Sequence, residues 1–153
     1  MKNYFELFEI DLNYRVDGSI VEDKYINLQK HYHPDNFTEV NDQLKAMEMI
    51  MLINQAYEVF TNADKLLEYY LNIKGFKLAE DEIKHLLPKS DLLYMFELKN
   101  SARSKDYIRK ELKERRKCIR LSLIRFIEEN SYRDIKVNLA RLIFFNNSLQ
   151  NIG

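Results

Sequence analysis

Apolar positions recur at helical spacing through the first part of the chain. Asn3, three residues before Glu6, fits a capping box that opens a short helix. Ser19 is the predicted N-cap of a second helix, whose apolar stripe repeats at spacings of four, three and four: Val21, Tyr25, Leu28 and Tyr32. Pro34 ends that helix, because proline lacks a backbone donor and disfavours helical geometry at the residue before it.

A third helix is predicted after a loop at residues 34–41. Asn41 is its expected N-cap, and the helix runs to about Phe60. It carries two adjacent apolar stripes and so should contact more than one neighbour: Ile50, Ile53, Tyr57 and Phe60 in one, and Met49, Leu52, Ala56 and Val59 in the other. A fourth helix is expected from about Ala63 to Lys74, and Gly75 suits the position after its end.

The pattern weakens between residues 76 and 89, where we predict a linker with at most one helical turn near residues 81–86. Three further helices follow: one capped by Ser90, a long one from about Lys105 to Glu129, and a last one from about Tyr132 to Leu149. Arg115 interrupts the apolar stripe of the long helix.

The composition agrees with a packed helical protein. Only three glycines and two prolines occur among 153 residues, and 46% of the residues are hydrophobic. This content favours long helices over a turn-rich β fold. We therefore expect an all-α fold with a first domain at 1–75, a linker at 76–89 and a three-helix bundle at 90–153.

Charge and cysteine content bear on partners and location. Lys plus Arg equals Asp plus Glu at 24 each, so the total charge does not favour a nucleic-acid or membrane partner. No apolar run reaches the roughly 20 residues of a membrane span, and the first residues lack the apolar core of a signal peptide. Cys118 is the only cysteine, so no internal disulfide is expected. These features predict a cytoplasmic protein.

One short stretch, LQKHYHPDNF at residues 28–37, carries candidate chemistry. His33 and Asp35 supply an imidazole and a carboxylate, but the sequence offers no third catalytic partner and no phosphate-binding loop. His31 and His33 are two residues apart, whereas metal ligands on a helix usually stand three or four apart. We expect no catalytic residue, no metal and no cofactor. By itself, the tripeptide around Pro34 is also consistent with a simple helix stop.

The context of the tripeptide resembles a J domain, the co-chaperone module that stimulates DnaK-class ATPases. The matching residues are the stripe Tyr25, Leu28 and Tyr32, the tripeptide His33-Pro34-Asp35, and the run Ile53-Asn54-Gln55-Ala56-Tyr57. The resemblance implies that the second and third helices form an antiparallel hairpin. The loop between them would then display the tripeptide to the chaperone.

The expected chaperone-binding surface carries little positive charge. Six residues are assigned to it: His33, Pro34, Asp35, Lys24, Lys30 and His31. Glu22 and Asp23 offset the two lysines, and Asn36 stands where J domains often have lysine. Long-range charge should therefore contribute weakly to binding.

The wider sequence is similar to the HscB family, the J proteins of iron–sulfur cluster assembly. The matching stretches are YFELFEI at 4–10, HPDNF at 33–37, INQAYEVF at 53–60 and YYLNIKGF at 69–76. Beyond them the similarity rests on the helix pattern and on FELKN at 96–100, where the family has a LELRE-like run. It implies a non-enzymatic co-chaperone that brings an IscU-type scaffold protein to an HscA- or DnaK-type chaperone.

Five residues of the bundle match the scaffold-binding patch of that family: Leu92, Leu93, Phe96, Glu97 and Phe144. Asn100 stands where the family often has an acid, and Ile143 stands where arginine is typical, although Arg141 is close in sequence. The alternative is that Leu92, Phe96 and Phe144 belong to the bundle core. Two other functions stay open: a J protein with a different client, and a helical adaptor in which the tripeptide only stops a helix.

Overall fold

The computed structural model describes residues 3–152, so Met1, Lys2 and Gly153, which the predicted domains include, lie outside the described range. Within that range the chain forms eight α-helices and no strand, which confirms the all-α class. The helices are α1 Tyr4–Phe8, α2 Gly18–His31, α3 Val40–Phe60, α4 Ala63–Ile73, α5 Glu80–Leu86, α6 Lys89–Lys99, α7 Lys105–Glu128 and α8 Tyr132–Gln150. The chain divides into two compact units, Met1–Gly75 and Phe76–Gly153.

The first unit packs α1 to α4 around a core of aromatic and aliphatic side chains. Its buried members are Phe5, Phe8, Val21, Ile53, Ala56, Phe60 and Leu66. α2 and α3 run antiparallel, because Glu22 near the start of α2 pairs with Tyr57, whereas Gln29 further along α2 pairs with Asn54. Burial of this apolar set is the main stabilising contribution to the unit, and it places the end of α2 beside the start of α3.

Two local predictions are confirmed. The Asn3 side chain accepts a hydrogen bond from the Glu6 backbone at 2.9 Å, and the Glu6 carboxylate accepts one from the Asn3 backbone at 3.3 Å. Gly75 follows the end of α4 with a φ of 98°, a left-handed conformation that glycine adopts without steric cost.

The N-caps of three helices lie two residues before the predicted ones, which were Ser19, Asn41 and Ser90. The observed N-caps are Asp17, Glu39 and Pro88. Asp17 takes the first position because its carboxylate accepts hydrogen bonds from the backbone and the hydroxyl of Ser19. Among the described residues, no side chain caps α3 or α6 at its first turn, so no capping motif marks either start in the sequence.

The second unit packs α5 to α8, with α7 and α8 against each other. Its core includes Leu112, Ile119 and Leu123 of α7, and Leu139, Leu142 and Phe145 of α8. The segment 76–89, predicted as a linker, contains α5, which contacts α8. α5 is short and all of its residues remain at least partly exposed, so no apolar stripe marks it. The unit therefore has four helices, where three were expected.

Candidate functional site: the tripeptide loop and the outer side of α6

The tripeptide lies in the connection between α2 and α3. α2 ends at His31, and Pro34–Asn36 form a single 3₁₀ turn within the predicted loop. His33 has an extended backbone with a ψ of 129°, as proline requires of the residue before it. The turn therefore breaks the helical path after α2, and it packs against α3.

His33 and Asp35 are exposed and interact with each other. The Asp35 backbone N–H donates to His33 Nδ1 at 3.2 Å, and an Asp35 carboxylate oxygen lies 3.6 Å from the same nitrogen. With Nδ1 as acceptor, the neutral ring keeps Nε2–H as a donor. The side chains are 59% and 90% exposed respectively, so this donor and the carboxylate are both available to a second protein.

Two side-chain amides hold the loop at both ends: Asn36, noted in the sequence only as a replacement for lysine, and Gln43, which the sequence analysis did not consider. Asn36 Nδ2 donates to the carbonyls of Lys30 and His31, at 2.6 and 3.2 Å. Gln43 Nε2, on α3, donates to the carbonyl of Phe37 at 2.8 Å. Asn36 thereby satisfies carbonyls that the end of a helix leaves without partners. Asparagine directly after the tripeptide is the only sequence signal for this anchor.

The predicted cations do not form one cluster. Lys24 lies 3.4 Å from Glu9 of the segment after α1, and Lys24 and His31 line a groove that also contains Glu6 and Glu9. Lys30 is exposed and lies outside that groove. The positively charged side chains expected beside the tripeptide therefore lie in different places, and Glu9 partly neutralises Lys24.

Polar side chains join the two helices behind the loop. Asn54 Oδ1 accepts from the Tyr25 hydroxyl at 2.9 Å and from Gln29 Nε2 at 2.7 Å. The Tyr57 hydroxyl donates to the Glu22 carboxylate at 2.6 Å, and this hydrogen bond raises the pKa of Tyr57. The rings of Tyr25 and Tyr57 stack with 4.0 Å between centroids. The hairpin that displays the tripeptide is thus braced by polar and aromatic contacts as well as by its core.

The predicted scaffold-binding residues of α6 are on its outer side. Leu92, Leu93 and Phe96 are 47%, 58% and 66% exposed, and Glu97 is exposed as well. This contradicts the alternative that Leu92 and Phe96 are bundle core. Phe144 of α8 is half-buried, and its ring packs edge-on against Phe145 with 5.3 Å between ring centroids. It is therefore neither a fully exposed patch residue nor a fully buried core residue.

A buried ionic cluster lies behind this surface and was missed by the sequence analysis. The carboxylate of Asp91 is fully buried and accepts hydrogen bonds from Arg115 and Arg141. Arg141 is only partly exposed and is paired with Asp91, so it is not a free surface substitute for the arginine that Ile143 replaces. The one available signal was Arg115, which interrupts the apolar stripe of α7.

Two other features were sought among the described residues, a metal site and a membrane-spanning helix. Within residues 3–152, histidine, cysteine and carboxylate side chains form no group of three that could hold a metal ion. In the same range, the helices lack the combination of length and apolar content that a bilayer span requires.

An exposed His-Pro-Asp turn between two antiparallel helices matches the arrangement that the resemblance to a J domain implies. Comparisons with known proteins extend this result. Curated relatives include the co-chaperone protein HscB homologs of Vibrio cholerae serotype O1 (strain M66-2), 34% identical over 82 residues, and of Vibrio vulnificus (strain YJ016), 35% identical over 82 residues. Each match covers 52% of this chain and 48% of the relative, so the matched stretch spans about half the length of those relatives.

Solved structures of two HscB proteins share the fold over nearly the whole chain. Human co-chaperone HscB aligns with a TM-score of 0.83 and 21% identity, covering 99% of this chain and 80% of the human chain. HscB from Vibrio cholerae aligns with a TM-score of 0.78 and 22% identity, covering 98% and 95%. No family model matches the chain. The curated relatives and the solved structures thus carry the same family name as the resemblance stated from the sequence: the chain is similar to HscB proteins in sequence over about half of its length and in fold over nearly all of it.

Proposed function

We propose that this protein stimulates the ATPase of an HscA- or DnaK-type chaperone through His33, Pro34 and Asp35. The observation that carries the proposal is the exposed tripeptide, whose loop Asn36 and Gln43 hold at both ends. Because the loop is already ordered, docking costs little conformational entropy. The imidazole N–H and the carboxylate can then bond to polar groups of the chaperone.

Lys30 and His31 extend this surface along the last turn of α2, and Lys24 contributes less because Glu9 lies beside it. No chemical step takes place on the chain in this proposal. The protein is a cytoplasmic binding protein without a cofactor, and hydrolysis occurs in the chaperone.

The second unit is proposed to bind an IscU-type scaffold protein. Exposed Leu92, Leu93 and Phe96 supply an apolar surface next to Glu97, and Phe144 is the expected contribution of α8. Solvent-exposed apolar groups that lie together commonly mark protein interfaces. Carrying both partners on one chain raises their effective concentration and thereby couples scaffold delivery to ATP hydrolysis.

Steady-state ATPase measurements test the chaperone role. The chaperone is assayed with the scaffold protein in the presence and absence of this protein. We expect stimulation by the unaltered chain and its loss in His33→Gln, because glutamine replaces the imidazole donor with a longer, flexible amide. His85→Gln, at an exposed histidine of α5, is the matched control and should stimulate fully. Full stimulation by His33→Gln would refute the proposed role.

A different client protein is the second candidate. It is favoured by Asn100 and Ile143, which depart from the polar part of the expected scaffold patch. Pull-down of an IscU-type scaffold by the unaltered chain and by Phe96→Ala separates the two candidates. Capture that depends on Phe96 supports the scaffold, and failure of the unaltered chain to capture it supports another client.

A further inference from the structure

α6 has apolar side chains on two opposite sides. Met95 and Leu98 are buried against the rest of the second unit, whereas Leu92, Leu93 and Phe96 are exposed. Successive residues of a helix are separated by about 100° around its axis. The exposed side carries two leucines and a phenylalanine, and the buried side carries a methionine and a leucine beside the half-buried Tyr94. Apolar burial alone therefore does not determine which side of α6 faces inward.

A buried carboxylate distinguishes the two sides. Asp91, in the first turn of α6, has a side chain that is 0% exposed. Arg141 of α8 donates from Nε to Asp91 Oδ2 at 2.6 Å and from Nη2 to Oδ1 at 3.2 Å. Arg115 of α7 donates from Nη2 to Oδ1 at 3.2 Å. One carboxylate thus joins α6 to both long helices of the unit.

Further contacts orient the two guanidinium groups. The guanidinium carbon of Arg115 lies 4.2 Å from the ring centroid of Tyr94, a cation–π contact. Tyr94 stands three residues after Asp91 and so on the same side of α6. Arg141 Nη1 donates to Asn138 Oδ1 at 3.1 Å within α8. The arginines are therefore placed to receive α6 in one rotational position.

Rotation of α6 by one residue position would carry Asp91 away from both arginines. It would break the ion pairs that the fully buried carboxylate makes with the two partly exposed arginines, and separating the partners of a buried ion pair is strongly unfavourable. From this geometry we infer that Asp91, Arg115 and Arg141 set the rotation of α6 and so keep its outer apolar side exposed for a partner protein. Asp91 is the central positioning residue. The inference rests on the proposed function only for the identity of that partner.

Cysteine alkylation measures the rotation without any partner. In a Cys118→Ser background, Phe96→Cys reports on the outer side of α6 and Met95→Cys on the inner side. With the ionic cluster intact, we expect the cysteine at position 96 to be alkylated fast because that position is exposed, and the cysteine at position 95 to be alkylated slowly because that position is buried. The combined replacement of Asp91→Leu, Arg115→Met and Arg141→Met removes all three charges while keeping apolar volume. In that background the ratio of the two rates should fall toward one or invert, while circular dichroism remains helical.

An unchanged ratio in the apolar background would overturn the inference. If that variant fails to fold, Asp91→Asn decides: a lower ratio supports the inference and an unchanged ratio contradicts it. Asp106→Asn, at an exposed carboxylate of α7, is the control and should keep the ratio of the unaltered chain. Scaffold binding is then measured separately. If the unaltered chain does not bind the scaffold, the proposed client is wrong, whereas the alkylation result stands.

Discussion

At the scale of single residues, the tripeptide depends on neighbours that make no contact with a partner in the proposed function. Asn36 occupies the position where a lysine was expected and bonds two carbonyls at the end of α2 instead. Asparagine at position 36, in place of the lysine common in J domains, therefore also changes how the loop is held. It removes a charge from the surface and adds an anchor for the loop.

Asn36→Ala should lower the free energy of unfolding by about 1 kcal/mol, since the two carbonyls lose their side-chain donor. The comparison variant is Asn41→Ala, at an exposed asparagine within α3, where alanine should be neutral or slightly stabilising. Urea unfolding monitored by circular dichroism gives both values. Equal effects of the two substitutions would show that the bonds of Asn36 add no stability.

At the scale of elements, α2 and α3 were predictable as helices from their apolar stripes, whereas their antiparallel pairing was expected from the resemblance to a J domain. The boundaries were less predictable, since α3 and α6 start without a side-chain cap among the described residues. α5 was not recognised as a packed helix because none of its residues is fully buried. Periodicity thus identifies helices that bury a face and misses those that lie on the surface.

The Tyr57–Glu22 bond makes the stability of the hairpin sensitive to alkaline pH. The bond raises the pKa of Tyr57 above its ordinary value of 10.0. The folded state therefore retains the proton to higher pH than the unfolded state. The contribution is complete below the ordinary pKa and is lost as the pH rises through the raised one. Tyr57→Phe should flatten the fall of the urea midpoint in this range.

Tyr132→Phe is the comparison for that measurement, because it removes an exposed phenol from the second unit and leaves the hairpin intact. Urea midpoints are recorded at increasing pH above neutrality for the unaltered chain and both variants. An identical slope for the unaltered chain and Tyr57→Phe would show that the hydrogen bond does not contribute.

At the scale of the whole molecule, the recognition surface is poor in positive charge although the chain is neutral overall. Lys plus Arg equals Asp plus Glu, and Lys24 lies beside Glu9. Screening at an ionic strength of 0.1 M acts beyond about 10 Å, so a surface with few free cations loses little attraction when salt is added.

Affinity for the proposed chaperone should consequently change only a few fold between low and high sodium chloride. Asn36→Lys, which restores the expected cation next to the tripeptide, should make the dependence steeper. Isothermal titration at several salt concentrations provides the measurement. A steep loss of affinity by the unaltered chain would show that long-range charge dominates.

The two candidate surfaces differed in how far the sequence could define them. The tripeptide was identified from contiguous residues, and its exposure follows from Pro34 and the end of α2. The exposure of Leu92 and Phe96 could not be derived, because it depends on Asp91 meeting arginines 24 and 50 positions away. Long-range pairing of this kind has no local periodicity, so only a structure shows it.

The interior charges of the second unit set two aims of protein engineering against each other. Replacing a buried ionic cluster by apolar residues of similar volume is often neutral or stabilising, so a search for higher melting temperature would select changes at 91, 115 and 141. The same search would favour polar residues at 92, 93 and 96, because exposed leucine and phenylalanine promote aggregation. A chain optimised in this way would gain heat resistance and solubility while losing the surface proposed for its partner.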